Sequence, residues 1–171
     1  MREEKLLKLL KALLKNSRRS DRELARTIGA SQPTVTRNRK ILGEYIRSYT
    51  IMPSFDKIGY EILAFTFSRL AIYDKKIVEA KLEQIRKWVN NRPNVIFSSD
   101  GEGLGKDAVM ISLHRSYSKY VEFMKEFSSV SADSATDMQS FIVSLKTGMT
   151  LKPFDLTYLA DDIQELDKET S

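Results

Sequence analysis

The sequence predicts an α+β chain: an N-terminal winged helix-turn-helix followed by a ferredoxin-like βαββαβ sandwich. Three observations predict it. Leucines at helical spacing open the chain, two capped helices flank a glycine after them, and beyond residue 60 the periodicities run strand, helix, strand, strand, helix, strand.

In EEKLLKLLKALLK the leucines at 6, 9, 10 and 13 follow i, i+3, i+4, i+7, and Leu7 and Leu14 widen the stripe, so residues 3–15 are expected to form an amphipathic helix. NSRRS is a polar break. Ser20, with Glu23 three residues on, has the form of a capping box, and DRELARTI makes a short helix closed by Gly29. Ser31 caps a third helix, Pro33 is tolerated in its first turn, and TVTRNRKIL runs to Gly43. EYIRSYTIMPSF then reads as a short β wing or an edge strand that Pro53 leads into a linker.

Charge divides along the chain. Residues 1–50 hold 13 Lys and Arg against 5 Asp and Glu, a net +8, whereas residues 51–171 hold 15 against 18, a net −3. A basic module of this kind attracts polyanions, and double-stranded DNA is the partner that a helix-turn-helix fits. The third helix carries the chemistry for it. With Val35 at zero on a helical wheel, Leu42 falls at about 340°, while Pro33, Thr36, Arg37 and Lys40 span roughly 100–200°. That leaves a narrow core edge and a broad polar face. Ser31, Gln32, Thr34, Thr36, Arg37 and Asn38 are candidates to meet the major groove, because Arg can read guanine, Asn or Gln adenine, and Thr the thymine methyl. Lys40, Arg18 and Arg19 are candidates for phosphate contacts. Arg39, at about 40°, must either snorkel past the core or pair with a carboxylate.

The second half supplies the sandwich. IGYEILAFTFSRLAIY is strand-like, with Leu63, Phe65 and Phe67 on one face, the phenylalanines read as core, and Ile62, Ala64, Thr66 and Ser68 on the other. DKKIVEAKLEQIRKWV is a helix through Val78, Leu82, Ile85 and Val89. RPNVIFSS and DAVMISLH are strands around the turn GEGLGKD; RSYSKYVEFMKEF is a helix, and TDMQSFIVSLKTG the last strand. The domain boundaries expected are 1–52 for the winged helix-turn-helix, 53–60 for the linker, 61–148 for the sandwich and 149–171 for an acidic extension. In that extension Leu156, Leu159, Ile163 and Leu166 form a helical stripe, and residues 155–171 carry six acids against Lys168. Such a helix is expected to cover the chain's own sheet or a neighbouring subunit.

The phrases LARTIGASQPTVTR and FDKIGYEILAF, joined to the βαββαβ order, resemble the Lrp/AsnC (feast/famine) transcription regulators over about residues 2–147. The resemblance implies a sequence-specific regulator that dimerises through its C-terminal sheets, assembles further into higher oligomers, and responds to an amino-acid effector bound between subunits. Carried over to this sequence, the effector loop falls on Gly103, Gly105 and Asp107. The plainer reading of GEGLGKD is a hairpin turn whose glycines supply positive φ.

Other classes fit less well. The chain has no cysteine and one histidine, His114, which removes thiol chemistry and multi-histidine metal sites, so neither a cofactor nor an enzymatic activity is expected. An acylphosphatase-like activity would want an arginine in SFDKIGY, and an RNA-recognition sheet would want aromatics in DAVMISLH; both segments lack them. No apolar run approaches a membrane span, the start lacks a signal peptide's apolar stretch, and a cytoplasmic location without a membrane partner is expected. The rivals are a non-specific nucleoid-type DNA-binding protein and a helix-turn-helix sensor module without specific DNA binding.

Overall fold

Leucine spacing builds the first helix, and serine caps set the start of the next two. The computed structural model describes residues 2–70, 75–132 and 134–166, and among them α1 spans Arg2–Lys15, α2 Asp21–Ile28 and α3 Gln32–Leu42. Ser20 and Glu23 close the expected capping box, with Ser20 N–H donating to Glu23 Oε2 at 2.8 Å and Glu23 N–H to Ser20 Oγ at 3.3 Å. These bonds to Ser20 hold the Glu23 carboxyl below its ordinary pKa. Gly29 ends α2 at φ 65°, the left-handed conformation that glycine adopts without a Cβ penalty. Gly43, by contrast, ends α3 in right-handed conformation.

The chain divides into two compact units, Met1–Met52 together with Leu151–Ser171, and Pro53–Thr150. In the first, Leu6, Leu9 and Leu13 of α1 pack with Leu24, Ile28, Val35 and Leu42, and Leu9, Leu24, Val35 and Leu42 are fully buried. The acidic extension joins this unit. A 3-10 turn at Leu156–Tyr158 and the short α6, Leu159–Asp162, lie against α1; Lys15 Nζ meets Asp161 Oδ1 at 2.6 Å, and Leu166 packs on the three-helix core. The extension therefore covers α1, with Ala160 buried and Leu166 partly buried on that core, while Leu156 and Leu159 stay half exposed.

The wing differs from its expected form. Residues 46–54 pair with no strand, and Ile51 is 77% exposed. A ladder needs a second strand, and Pro53 removes one donor from this segment.

The second unit is a four-stranded antiparallel sheet in the order β2-β3-β1-β4, built from β1 (Ile62–Leu70), β2 (Val95–Gly103), β3 (Lys106–His114) and β4 (Ala135–Ser144). The helices α4 (Lys75–Asn90) and α5 (Tyr117–Ser131) complete the βαββαβ order. Ile62 and Ala64 pack on Tyr120 and Met124, and Met110 packs on Phe123 and Phe127, against which Ile85, Trp88 and Val89 of α4 close. The side chain of Val78, the end of the first predicted strand at 71–73, and residues 167–171 lie outside the described residues.

Phe65 and Phe67 are not helix-covered core. Ile62, Ala64, Thr66 and Ser68 are the buried set on β1, and Thr66 Oγ1 donates to Met124 Sδ, so the alternation turns Leu63, Phe65 and Phe67 to the uncovered face. There the register aligns Phe97, Ile111, Phe65 and Phe141 in one row across all four strands, with Phe97 50% and Phe141 68% exposed.

Candidate nucleic-acid interface

Three residues, Gly29 to Ser31, separate α2 from α3, and the second of these helices presents its polar side outward. Gln32, Pro33, Thr36, Arg37 and Lys40 line one shallow depression along α3. All five are exposed, and α3 has no acidic residue, so the surface is cationic without an internal counter-charge. Ser31 serves as the N-cap: its Oγ accepts from Thr34 N–H at 3.4 Å and shares a 2.8 Å hydrogen bond with Thr34 Oγ1. These two hydroxyls thus fix the start of α3 beside the exposed set.

Thr36 Oγ1 donates to Asp21 Oδ2 at 2.6 Å, which ties up its hydroxyl and leaves its methyl for apolar contact. Arg39 takes the carboxylate alternative. Its Nε lies 2.6 Å from Asp21 Oδ1, off the line of its N–H, and its Nη2 donates to Arg19 O at 3.0 Å. Asp21, the first residue of α2, thereby anchors two residues of α3.

Asn38 does not belong to the reading surface. It is 1% exposed and its Oδ1 has no hydrogen-bond partner. On the wheel it falls at about 300°, beside Leu42, so helical geometry and not amide chemistry decides its place. The two arginines before α2 also separate. Arg18 is exposed; Arg19 is half-buried, with Nη1 3.5 Å from Thr27 Oγ1 and its carbonyl taken by Arg39. Arg22 and Arg26, exposed and one turn apart on α2, add two cations that pattern reading counted only as net charge; their i, i+4 spacing is the signal that places them on one face.

Gly103, Gly105 and Asp107 come together at the tip of the β2–β3 hairpin. Gly103 pairs with Lys106 across a two-residue turn in which Leu104 (φ 54°) and Gly105 (φ 67°) are both left-handed, and Leu104 is 84% exposed. Asp107 follows one residue into β3.

Comparison with known proteins adds an independent line. A family model described as winged helix-turn-helix DNA-binding matches residues 2–44. No curated protein matches the chain. Among solved structures, a transcriptional regulator of Neisseria meningitidis in complex with L-Met superposes with a TM-score of 0.72 at 20% identity, covering 91% of this chain and 97% of that one. AsnC of E. coli gives 0.68 at 18% identity over 88% and 95%, and LrpC of B. subtilis 0.65 at 21% over 86% and 96%. The chain therefore joins a winged helix-turn-helix of the DNA-binding class to a ferredoxin-like sandwich, the fold of the Lrp/AsnC transcription regulators.

Proposed function

We propose that the chain is a sequence-specific, homodimeric DNA-binding transcription regulator of the Lrp/AsnC family, cytoplasmic and without catalytic activity. The observation that carries this reading is the cationic face of α3, on which Gln32, Thr36, Arg37 and Lys40 stand exposed together on a helix whose opposite edge is fixed by Val35 and Leu42. Gln32 and Arg37 read base edges, the Thr34 and Thr36 methyls pack on thymine, and Lys40 and Arg18 bind phosphate. Ser31 and Arg19 set the helix in place.

The uncovered row Phe97, Ile111, Phe65 and Phe141 supports dimerisation by sheet-to-sheet packing, since an apolar face of this kind is costly to leave in water. A two-fold axis then places two α3 helices in successive major grooves, with half-sites roughly 10 bp or a multiple of it apart. Higher assembly builds on that dimer. The L-Met held by the Neisseria regulator supports an amino-acid effector for this chain too, taken at the hairpin tip of Gly103, Gly105 and Asp107.

Selection of the purified protein against random duplexes at moderate salt, followed by sequencing, tests the reading. A two-fold symmetric enriched motif is expected. Salt-sensitive binding with no motif would leave only the electrostatic term and make the protein a nucleoid-type binder; no binding would leave a sensor module.

A further inference from the structure

The KIGY phrase that opens the sandwich has a task apart from DNA. Arg115, just past the end of β3, is held on three sides by it. Arg115 Nη1 donates to Ile58 O at 3.4 Å, its guanidinium lies 5.2 Å from the centroid of the Tyr60 ring, and a Cβ on Gly59 would stand 2.8 Å from Nη1. Gly59 has φ 92°, a conformation that calls for glycine. This cradle sets Arg115 at the edge of a cavity of about 260 Å³ floored by the buried Phe123.

The other charges at the rim are matched. Lys119 Nζ pairs with Glu122 at 2.6 Å and Arg92 Nη2 with Glu126 at 2.5 Å, and Arg92 also lies over Trp88 at 4.8 Å. Among the described residues no carboxylate pairs with Arg115. His114, at the back, is 3% exposed and sits edge-on to Tyr120 and Phe123; burial pushes it down to about 4, so it is neutral at pH 7. The cavity thus carries one net positive charge, fixed at Arg115.

We propose that this cavity binds a small monocarboxylate with a short apolar body, its carboxylate clamped by Arg115 and its body on Phe123. The planar fork of arginine matches a carboxylate bidentately. The two glutamates facing the same space oppose a dianion. The volume lies below the ~300–1,000 Å³ of sites for drug-sized ligands, which limits the body to a few carbons. The site is separate from the hairpin tip, because the nine residues of β3 at about 3.3 Å each put the two ends roughly 26 Å apart.

Trp88, the chain's one tryptophan, touches Phe123 (5.1 Å between centroids) and Arg92, and so reports on the cavity. Titrating the full-length protein with 3-methylbutanoate is expected to change Trp88 emission saturably, with 3-methylbutanamide and inorganic phosphate at least about tenfold weaker. Arg115→Ala should weaken the carboxylate by about tenfold or more, and Arg115→Lys, which keeps the charge but loses the fork, should fall between. Circular dichroism confirms that each variant is folded, and Arg115→Lys carries the test if Arg115→Ala is not. No saturable response, an equal response to the amide, an equal or stronger response to phosphate, or an unchanged affinity in the folded arginine variants would each overturn the proposal.

Discussion

Arg39 and Asp21 join α3 to the first residue of α2: Nε stands 2.6 Å from Oδ1, with the two side chains 26% and 23% exposed. Because Asp21 Oδ2 also accepts from Thr36, one carboxylate fixes the angle at which α3 leaves the turn. Asp21→Ala removes both contacts and leaves a half-buried guanidinium, so we expect a loss of about 1–3 kcal/mol in urea unfolding followed by circular dichroism. A double-mutant cycle with Arg39→Ala should be non-additive, and additivity would mean that the pair contributes nothing as a pair. DNA affinity should fall on all sequences alike, since the whole helix shifts.

Arg37 and Asn38 are neighbours in sequence with opposite expected behaviour. Arg37→Ala should relax base preference at one position by roughly 1–3 kcal/mol, whereas Arg18→Ala should weaken every sequence equally and lower the salt slope by about 1. Asn38→Leu should leave base preference unchanged and be neutral or stabilising by up to about 1 kcal/mol, because it replaces an unpartnered buried carbonyl with apolar volume. Binding-site selection with each variant, beside thermal melts, separates these outcomes. Equal losses on specific and random DNA for Arg37→Ala would strike it from the reading set.

Local signals carried much of this fold. The Ser20–Glu23 box, Gly29 and the leucine stripe of α1 each act through neighbours within a turn or two, and the structure keeps all three. What failed was what depends on distant partners. Alternation in ILAFTF separates two faces but cannot say which one the helices cover when both are apolar, and the phenylalanines, read as core, lie on the uncovered one. Asn38 is legible on the wheel as a core-edge residue, although its amide chemistry suits base reading. The extension's stripe predicted an amphipathic segment; nothing in its own spacing specifies α1 as the surface it covers. The KIGY phrase was visible as a pattern, but its contact with Arg115 spans 57 residues and only the fold brings the two together.

Phe141, on edge strand β4, offers the cleanest test of the sheet-to-sheet dimer. It is 68% exposed and pairs with Phe65, so Phe141→Glu places a charge in the proposed interface without touching the helix-covered core. We expect self-association to weaken by at least about tenfold, roughly 1.4 kcal/mol, as read by light scattering across a dilution series, with the melting profile of the sandwich retained. Specific DNA affinity should fall with it, because a monomer engages one half-site at a time. An unchanged dimer would move the interface elsewhere on the molecule.

His114 makes stability depend on pH in a defined window. It is buried, its Nε2 shares a 2.9 Å hydrogen bond with Ser112 Oγ, and desolvation lowers its pKa from 6.5 to about 4. The unfolded chain therefore takes up a proton on this residue below pH 6.5, while the folded chain resists until about pH 4. Its contribution to stability is intact above pH 6.5 and is lost progressively as the pH falls towards 4, amounting to roughly 2–3 kcal/mol at pH 4.5. Carboxylates titrate in the same range, so the informative quantity is the difference between wild type and His114→Gln. Urea unfolding at pH 7.5 and pH 4.5 should show the wild type losing about 2–3 kcal/mol more than the variant between the two conditions. Equal losses would mean that the folded protein accommodates the imidazolium, which the aromatic walls of Tyr120 and Phe123 and the neutral Ser112 oppose.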